Sequence, residues 1–146
     1  MQADQEMTLP VPQPDPISAT FWQHCAARSL HIQRCANCKH WQHPPQAICP
    51  SCLSTDLRFE PVSGQGTVYS FTLTASGMRH PAFAGRGPYL VGLVELAEQP
   101  GLHLYTNFPG ATLEDMRVGA PVTVEFEERA GGMVLPQFRL VGGGEA

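Results

Sequence analysis

The amino-acid sequence predicts a mainly β protein with an N-terminal helix, a metal-binding ribbon and a C-terminal five-stranded barrel of the OB type. Three observations predict this fold. Two Cys-x-x-Cys pairs, Cys35 with Cys38 and Cys49 with Cys52, are separated by residues 39–48. Five strand-like segments then follow in tandem. The 146-residue chain also contains 14 Gly and 14 Pro, which favour turns and short strands over long helices.

The composition indicates an ordinary globular protein rather than a nucleic-acid binder or a membrane protein. Hydrophobic residues make up 42% of the chain and charged residues 15%. The net charge is −4, whereas nucleic-acid binding depends on neutralising phosphates. No segment is long and apolar enough to span a bilayer, and residues 1–16 lack the features of a secretory signal. We therefore expect a cytoplasmic protein, in which paired cysteines favour a metal site over disulfides.

The two ends of the chain are predicted to lie outside the folded domains. Residues 1–17 form a Pro-rich arm. Its prolines recur at every second position: Pro10, Pro12, Pro14 and Pro16. This alternation favours an extended polyproline conformation, which is stiff enough to lie on a partner at a low cost in ordering entropy. Residues 142–146 are predicted to be a flexible tail.

Residues 18–29 are predicted to form a short helix that begins with Ser18 as its cap. Phe21, Trp22 and Cys25 recur on one face of this helix. Because Phe21 and Trp22 are adjacent, a single buried stripe does not easily hide both. Either one of them meets a partner or both pack internally. Cys25 is interpreted as a buried, inert thiol, since no base stands near it in the sequence.

Residues 30–62 are predicted to be the ribbon that holds one metal ion. Strands enter it through Leu30 and Ile32 and leave it through Leu57 and Phe59. Each Cys-x-x-Cys knuckle turns two thiolates towards one ion, and two knuckles complete a tetrahedral site. Such a site is coordinatively full, so its zinc is structural rather than catalytic. The cysteine spacing also suits iron, so an electron-transfer protein with iron in the ribbon is one possible function.

Two features of the ribbon loop qualify this prediction. His40 and His43 flank Trp41, but four cysteines already fill the site, so both are interpreted as surface histidines. Zinc knuckles often place glycine after the second cysteine, where φ is positive. Here those positions are Lys39 and Leu53, so we expect some strain in the loops.

Residues 63–141 are predicted to form the OB-fold barrel. Tyr69, Phe71 and Leu73 are expected to share one face of its first strand. A helical turn is expected within 112–117. The predicted strands are Thr67–Thr74, Tyr89–Leu96, Leu102–Phe108, Pro121–Arg129 and Met133–Val141.

Several motifs together resemble a known family across residues 18–141. They are Phe21-Trp22, Gln33-Arg34-Cys35-x-x-Cys38, Pro44-Pro45-x-x-x-Cys49-Pro50-x-Cys52, Gly64-x-Gly66-Thr67-Val68-Tyr69-Ser70-Phe71, His80-Pro81-Ala82-Phe83 and Pro88-Tyr89-x-Val91-x-Leu93-Val94-Glu95-Leu96. The chain is similar to the zinc-ribbon OB-fold family associated with acyl-CoA metabolism, known as domain of unknown function 35. The resemblance implies a rubredoxin-like zinc ribbon followed by an OB-fold barrel.

The resemblance also implies a function in lipid metabolism as part of a protein complex. Family members are typically non-catalytic accessory partners of thiolase-like, aldolase or hydratase enzymes that act on acyl-CoA thioesters. On this basis Phe21 and Trp22 are candidate partner-interface residues. The candidate CoA-binding residues lie in one barrel loop: Arg79, His80, Phe83, Arg86 and Tyr89. Gln46 stands where many members have Arg, so the phosphate contacts of the family do not transfer directly.

The main alternative function is a single-stranded nucleic-acid-binding module, because OB folds often bind single strands. The net charge of −4 and the single Lys count against it. The sequence therefore favours an accessory subunit that is not itself an enzyme. It does not identify the partner enzyme, the acyl chain or the pathway.

Overall fold

The protein is mainly β, as the sequence predicted, in a computed structural model that describes residues 9–74, 81–83 and 85–142. Short 3₁₀ turns lie at Pro81–Phe83, Leu113–Asp115 and Ala130–Gly132. The helix and strands are α1 (Ala19–Ala26), β1 (His31–Cys35), β2 (Trp41–Gln42), β3 (Leu57–Pro61), β4 (Gln65–Leu73), β5 (Leu90–Leu96), β6 (His103–Asn107), β7 (Pro121–Glu128) and β8 (Val134–Leu140). No helix in the described ranges is long and apolar enough to cross a membrane.

The helix α1 is capped differently from the prediction. The Asp15 carboxylate accepts a hydrogen bond from the Ser18 N–H at 2.7 Å, and the Ser18 hydroxyl accepts one from the Asp15 N–H at 3.1 Å. Asp15 is therefore the cap of a reciprocal capping box, and Ser18 lies in the first turn. At the other end, Arg28 adopts φ 58°, and Ser29 N–H donates to the His24 carbonyl oxygen. This is the Schellman arrangement, with Arg28 where glycine is usual.

The ribbon is a three-stranded antiparallel sheet in the order β2-β1-β3. Leu30 and Ile32 are buried as predicted. Gln33, the next residue along the strand, is also buried and only 5% exposed. Its amide is satisfied by the loop that follows β2, so an isolated polar residue on this strand is no sign of solvent exposure.

The barrel is a five-stranded antiparallel sheet in the order β6-β5-β4-β7-β8. Its core contains Val68, Val94, Val122 and Phe138, all nearly inaccessible to solvent. The sheet closes between its edge strands through a side chain. The Asn107 N–H donates to Gln137 Oε1 at 2.8 Å, and Gln137 Nε2 donates to Asn107 Oδ1 at 3.3 Å. The Gln137 amide thus replaces part of the backbone pairing that the edge strands lack.

The first barrel strand presents a different face from the predicted one. The pairing of β4 with β5 shifts register between Val68 and Ser70, which leaves Tyr69 as the bulged residue. A bulge moves one residue out of the alternation, so Val68 enters the core and Tyr69 turns outward against His103. The shift is matched by Gly92 on β5, where a Cβ would collide with the Ser70 carbonyl oxygen.

The ribbon, the helix and the barrel share one hydrophobic core. Phe21 and Cys25 of α1 pack in the same cluster as Ile32 of the ribbon and Phe138 of the barrel. The Gln99 side chain joins the ribbon to the barrel, because its amide accepts from the Trp41 N–H at 3.0 Å and donates to the Trp41 carbonyl oxygen at 2.9 Å. The metal ribbon is therefore held against the barrel by packing and by hydrogen bonds.

Candidate metal centre and the groove beside it

The four ribbon cysteines meet at one point, as their spacing predicted. Their Sγ atoms all lie within 4.8 Å of one another. Cys35 Sγ lies 3.5 Å from Cys52 Sγ, and Cys38 Sγ lies 3.6 Å from Cys49 Sγ. Sulfur ligands at the usual zinc–sulfur length stand about 3.8 Å apart in a tetrahedron. The cluster therefore fits a metal ion bound by four sulfur ligands, and zinc is the ion that this donor set favours.

The two knuckles that deliver these cysteines have the same backbone design. Lys39 N–H donates to the Cys35 carbonyl oxygen, and Leu53 N–H donates to the Cys49 carbonyl oxygen, both at 2.9 Å. Lys39 and Leu53 adopt φ of 69° and 67°, in the left-handed region that glycine would occupy without steric cost. The strain expected at these two positions is therefore present.

Hydrogen bonds around the cluster stabilise the thiolate form of the cysteines. The Asn37 side-chain amide donates to Cys52 Sγ at 3.4 Å, and this bond, together with one from the Ser54 backbone N–H, lowers the pKa of that thiol to about 6. Backbone N–H groups of Cys38 and Ser51 donate to Cys35 Sγ and Cys49 Sγ. Donors of this kind stabilise thiolates, which are the form that binds metal. With four sulfur ligands, no position is left for water or substrate.

The fifth cysteine is separate from the metal cluster. Cys25 is fully buried in the shared core, and this burial raises the pKa of its thiol to about 12. A thiol of this kind stays protonated and unreactive at neutral pH. The structure therefore agrees with the interpretation of Cys25 as an inert core residue.

A groove of about 490 Å³ lies where the arm, α1, the ribbon loop and the barrel meet. Trp22 forms one side of it, Pro44 and Pro45 of the ribbon loop form a second, and Tyr105 with Pro136 of the barrel forms a third. We call it the junction groove. Sequence reasoning did not find it, because its walls come from four distant segments that no local pattern connects.

The two aromatic residues of α1 have different environments. Phe21 is only 3% exposed, so it is a core residue and is not free to meet a partner as part of a two-residue anchor. Trp22 is partly buried, and its ring meets the ring of Phe21 edge to face at 4.9 Å. Of the two candidate interface residues, Trp22 is therefore the one that offers surface, at the wall of the junction groove.

His43 is half-buried, whereas it was predicted to be a surface histidine. Its ring packs against Phe21 at 5.1 Å, and its Nδ1 is buried with no hydrogen-bond partner among the described residues. Burial lowers the pKa of His43 to about 4, because the charged ring would lose its hydration. The ring is neutral at pH 7 and forms part of the junction groove.

The burial of His43 predicts an acid-sensitive stability. The unfolded chain binds the proton near pH 6.5, whereas the folded chain resists it until about pH 4. Stability is therefore lost as pH falls through this window, by roughly 1.4 kcal/mol between pH 7.5 and 5.5. We expect His43→Phe to remove this part of the loss in zinc-saturated urea titrations at both pH values. Acid effects on the metal site are common to both proteins and cancel, so an equal loss in the variant would contradict the prediction.

The candidate CoA-binding residues are only partly visible. Arg79 and His80 lie outside the described residues. The rings of Phe83 and Tyr89 stack at 4.7 Å, and Arg86 is exposed between them in the chain. The described part of the loop thus brings two aromatic rings together near one cation.

Sequence reasoning also missed Gln33, which shapes the ribbon loop. Its Oε1 accepts hydrogen bonds from Gln46 N–H at 2.7 Å and Gln42 Nε2 at 2.6 Å, and its Nε2 donates to the Gln46 carbonyl oxygen at 2.9 Å. The side chain thereby pairs with the loop as a strand would. The only sequence signal was a polar residue next to a buried one.

Models of two domain families match the chain in succession. Residues 22–58 match the ChsH2 rubredoxin-like zinc ribbon domain. Residues 59–127 match the ChsH2 C-terminal OB-fold domain. The first of these models describes the four-cysteine ribbon, and the second describes the barrel.

Three known proteins that are similar to the chain carry different enzyme names. A probable enoyl-CoA hydratase alpha subunit of Thermomonospora curvata is 42% identical over 82% of this chain and 36% of its own length. The benzoylsuccinyl-CoA thiolase subunit BbsA of Thauera aromatica is 32% identical over 53% of this chain and 50% of its own. A solved chain of an Ltp2-ChsH2(DUF35) aldolase is 38% identical with a TM-score of 0.78, over 88% of this chain and 98% of that one. The chain spans about a third to a half of the curated relatives.

Proposed function

Since the chain belongs to the ChsH2-type DUF35 family of zinc-ribbon OB-fold proteins, we propose that it is a non-catalytic accessory subunit of an acyl-CoA enzyme. One observation carries the proposal. The same ribbon-and-barrel unit occurs in proteins named as a hydratase subunit, a thiolase subunit and an aldolase. These names denote different bond-making steps. A unit common to all three supplies what they share, which is assembly and the handling of a thioester, rather than the chemistry itself.

The metal centre and the thiols support a non-catalytic role. Four sulfur ligands leave the ion no open coordination position, so it does not activate water. Cys25 is buried and keeps its proton, which removes it as a nucleophile. Within the described ranges, Ser29 Oγ lies 3.2 Å from His31 Nδ1, but no carboxylate hydrogen-bonds to the His31 ring to orient it as a general base.

The proposed contact with CoA runs through the barrel loop that holds Phe83, Arg86 and Tyr89. Stacked rings offer a face for the adenine base, and an exposed guanidinium offers two parallel donors for a phosphate. Arg79 and His80 belong to the same proposal. In the complex, this loop faces the mouth of the partner's active site.

We expect Arg86→Ala to raise the KM of the complex for acyl-CoA about tenfold while kcat and assembly change little. The reason is that a charge-assisted contact to a phosphate remote from the thioester contributes to binding in the ground and transition states alike. Steady-state kinetics of the reconstituted complex measure this, with Arg58→Ala in the ribbon as a matched loss of an exposed cation. A KM that is unchanged by Arg86→Ala would remove this residue from the proposal.

The proposal as a whole is tested by assembly. The tagged chain is purified from its source, the enzyme that accompanies it is identified by mass, and the two are then expressed together. A complex of fixed stoichiometry that contains a thiolase-like, aldolase or hydratase polypeptide supports an accessory role. A chain that binds none of these enzymes contradicts it.

A further inference from the structure

The junction groove combines exposed aromatic surface with a preformed cavity. Tyr105 on β6 is 82% exposed, the largest exposed fraction among the described large hydrophobic residues. Trp22 also lines the groove, together with Pro44, Pro45 and Pro136. Tyrosine and tryptophan beside a concave site are the residues that most often carry binding energy at protein interfaces.

The walls of the groove are held in place by hydrogen bonds between the segments that form them. Gln33 fixes the ribbon loop through both backbone groups of Gln46. Gln137 ties the β8 wall to β6 at Asn107. Arg129 donates to the Pro10 carbonyl oxygen at 2.9 Å and holds the arm on the barrel. A groove fixed in this way loses little conformational entropy when a ligand enters.

The chemistry of the lining selects the kind of occupant. Among the described residues that line the groove, none is Asp, Glu, Lys or Arg. The phosphates of CoA or of a nucleic acid therefore find no counter-charge there. The cores of protein interfaces, by contrast, are depleted in charge and enriched in Tyr and Trp.

We propose that the junction groove is the docking site for the enzyme subunit, which inserts an uncharged segment with an apolar side chain between Trp22 and Tyr105. This inference rests on the proposed function and adds the surface through which it is carried out. The CoA loop is a separate site, so docking and CoA binding respond to different substitutions.

The test compares two new charges on the surface of the co-expressed complex. Tyr105→Glu places a carboxylate at the rim of the groove, where docking would bury it without a partner. Val118→Glu places the same charge on a residue that is 70% exposed and does not line the groove. We expect Tyr105→Glu to raise the Kd for the enzyme subunit at least tenfold and Val118→Glu to change this Kd less than twofold. Both variants should unfold at the wild-type temperature in the absence of the enzyme.

Any outcome other than these two expected changes in Kd overturns the proposal, and each points to a different explanation. A wild-type complex that Tyr105→Glu leaves intact overturns the docking site alone and leaves the proposed function standing. Absence of any wild-type complex overturns both. A wild-type homodimer that Tyr105→Glu dissociates assigns the groove to a second copy of this chain. Binding of octanoyl-CoA to the isolated chain that Tyr105→Glu abolishes assigns it to an acyl group.

Discussion

We expect the replacement of Cys38 by Ser to release the metal ion and to unfold the ribbon strands β1–β3. Cys38 is exposed, so the substitution removes a ligand without opening a cavity in the core. The three remaining thiolates lie within 4.8 Å of one another and repel one another without a full tetrahedron. Metal binding in ribbons of this size supplies roughly 10 kcal/mol or more of folding free energy, which no packing in a three-stranded sheet replaces.

Cys25→Ser is the matched control, because it changes the same side chain in the same way at a site without metal. It places a hydroxyl in an apolar core and costs about 1–3 kcal/mol. Zinc per chain is measured by plasma mass spectrometry, and ribbon structure by amide exchange across residues 30–62. We expect one zinc in the wild type and in Cys25→Ser, and loss of zinc in Cys38→Ser. Full zinc occupancy in Cys38→Ser would contradict the assignment, and stoichiometric iron in the wild type would change the identity of the ion.

Gln33→Leu is expected to destabilise the protein by roughly 1–3 kcal/mol and to loosen the ribbon loop. Leucine keeps the volume of the side chain but leaves the Gln46 N–H, the Gln46 carbonyl oxygen and the Gln42 amide without their partner. The bond to the Gln42 amide is buried, and a buried polar group that loses its only hydrogen bond costs roughly 1–3 kcal/mol. Gln46 is an exposed residue, so its backbone groups regain hydrogen bonds to water. The loop forms one wall of the junction groove, so docking should weaken together with stability.

Gln23→Leu in α1 is the control, because Gln23 is exposed. It makes the same Gln-to-Leu change at a site where the amide holds no loop. Urea titrations of both variants give the free energies of unfolding, and amide exchange of Gln46 reports the loop directly. We expect Gln23→Leu to lie within about 0.5 kcal/mol of the wild type. A Gln33→Leu protein as stable as Gln23→Leu, with Gln46 still protected, would show that the amide does not hold the loop.

Features that depend on spacing within a short segment were predictable from the sequence. The cysteine pairs predicted the metal cluster because two residues between thiols bring both to one side of a turn. Alternation predicted the barrel strands because side chains alternate between faces along a strand. Positive φ at Lys39 and Leu53 followed from the knuckle itself.

Features that depend on distant partners were not predictable in the same way. His43 was predicted to be a surface residue, and the structural role of Gln33 was not predicted, because a polar side chain indicates exposure until its tertiary neighbours are known. Tyr69 left the predicted face because a bulge depends on how β4 pairs with β5. Ser18 was predicted to cap the helix, but Asp15 is the cap. The two residues hydrogen-bond to each other, and Asp15 comes first in the chain. The junction groove combines residues from across the chain.

The central claim is that this chain assists an acyl-CoA enzyme without carrying out the reaction. The most direct measurement is thioester turnover by the purified chain, by the enzyme subunit and by their complex, with the mass of each species determined by light scattering. We predict a defined complex that turns over acyl-CoA, an enzyme subunit that is impaired alone, and a chain that is inactive alone. Turnover by the purified chain, or an enzyme whose activity and mass are unchanged by it, would contradict the account.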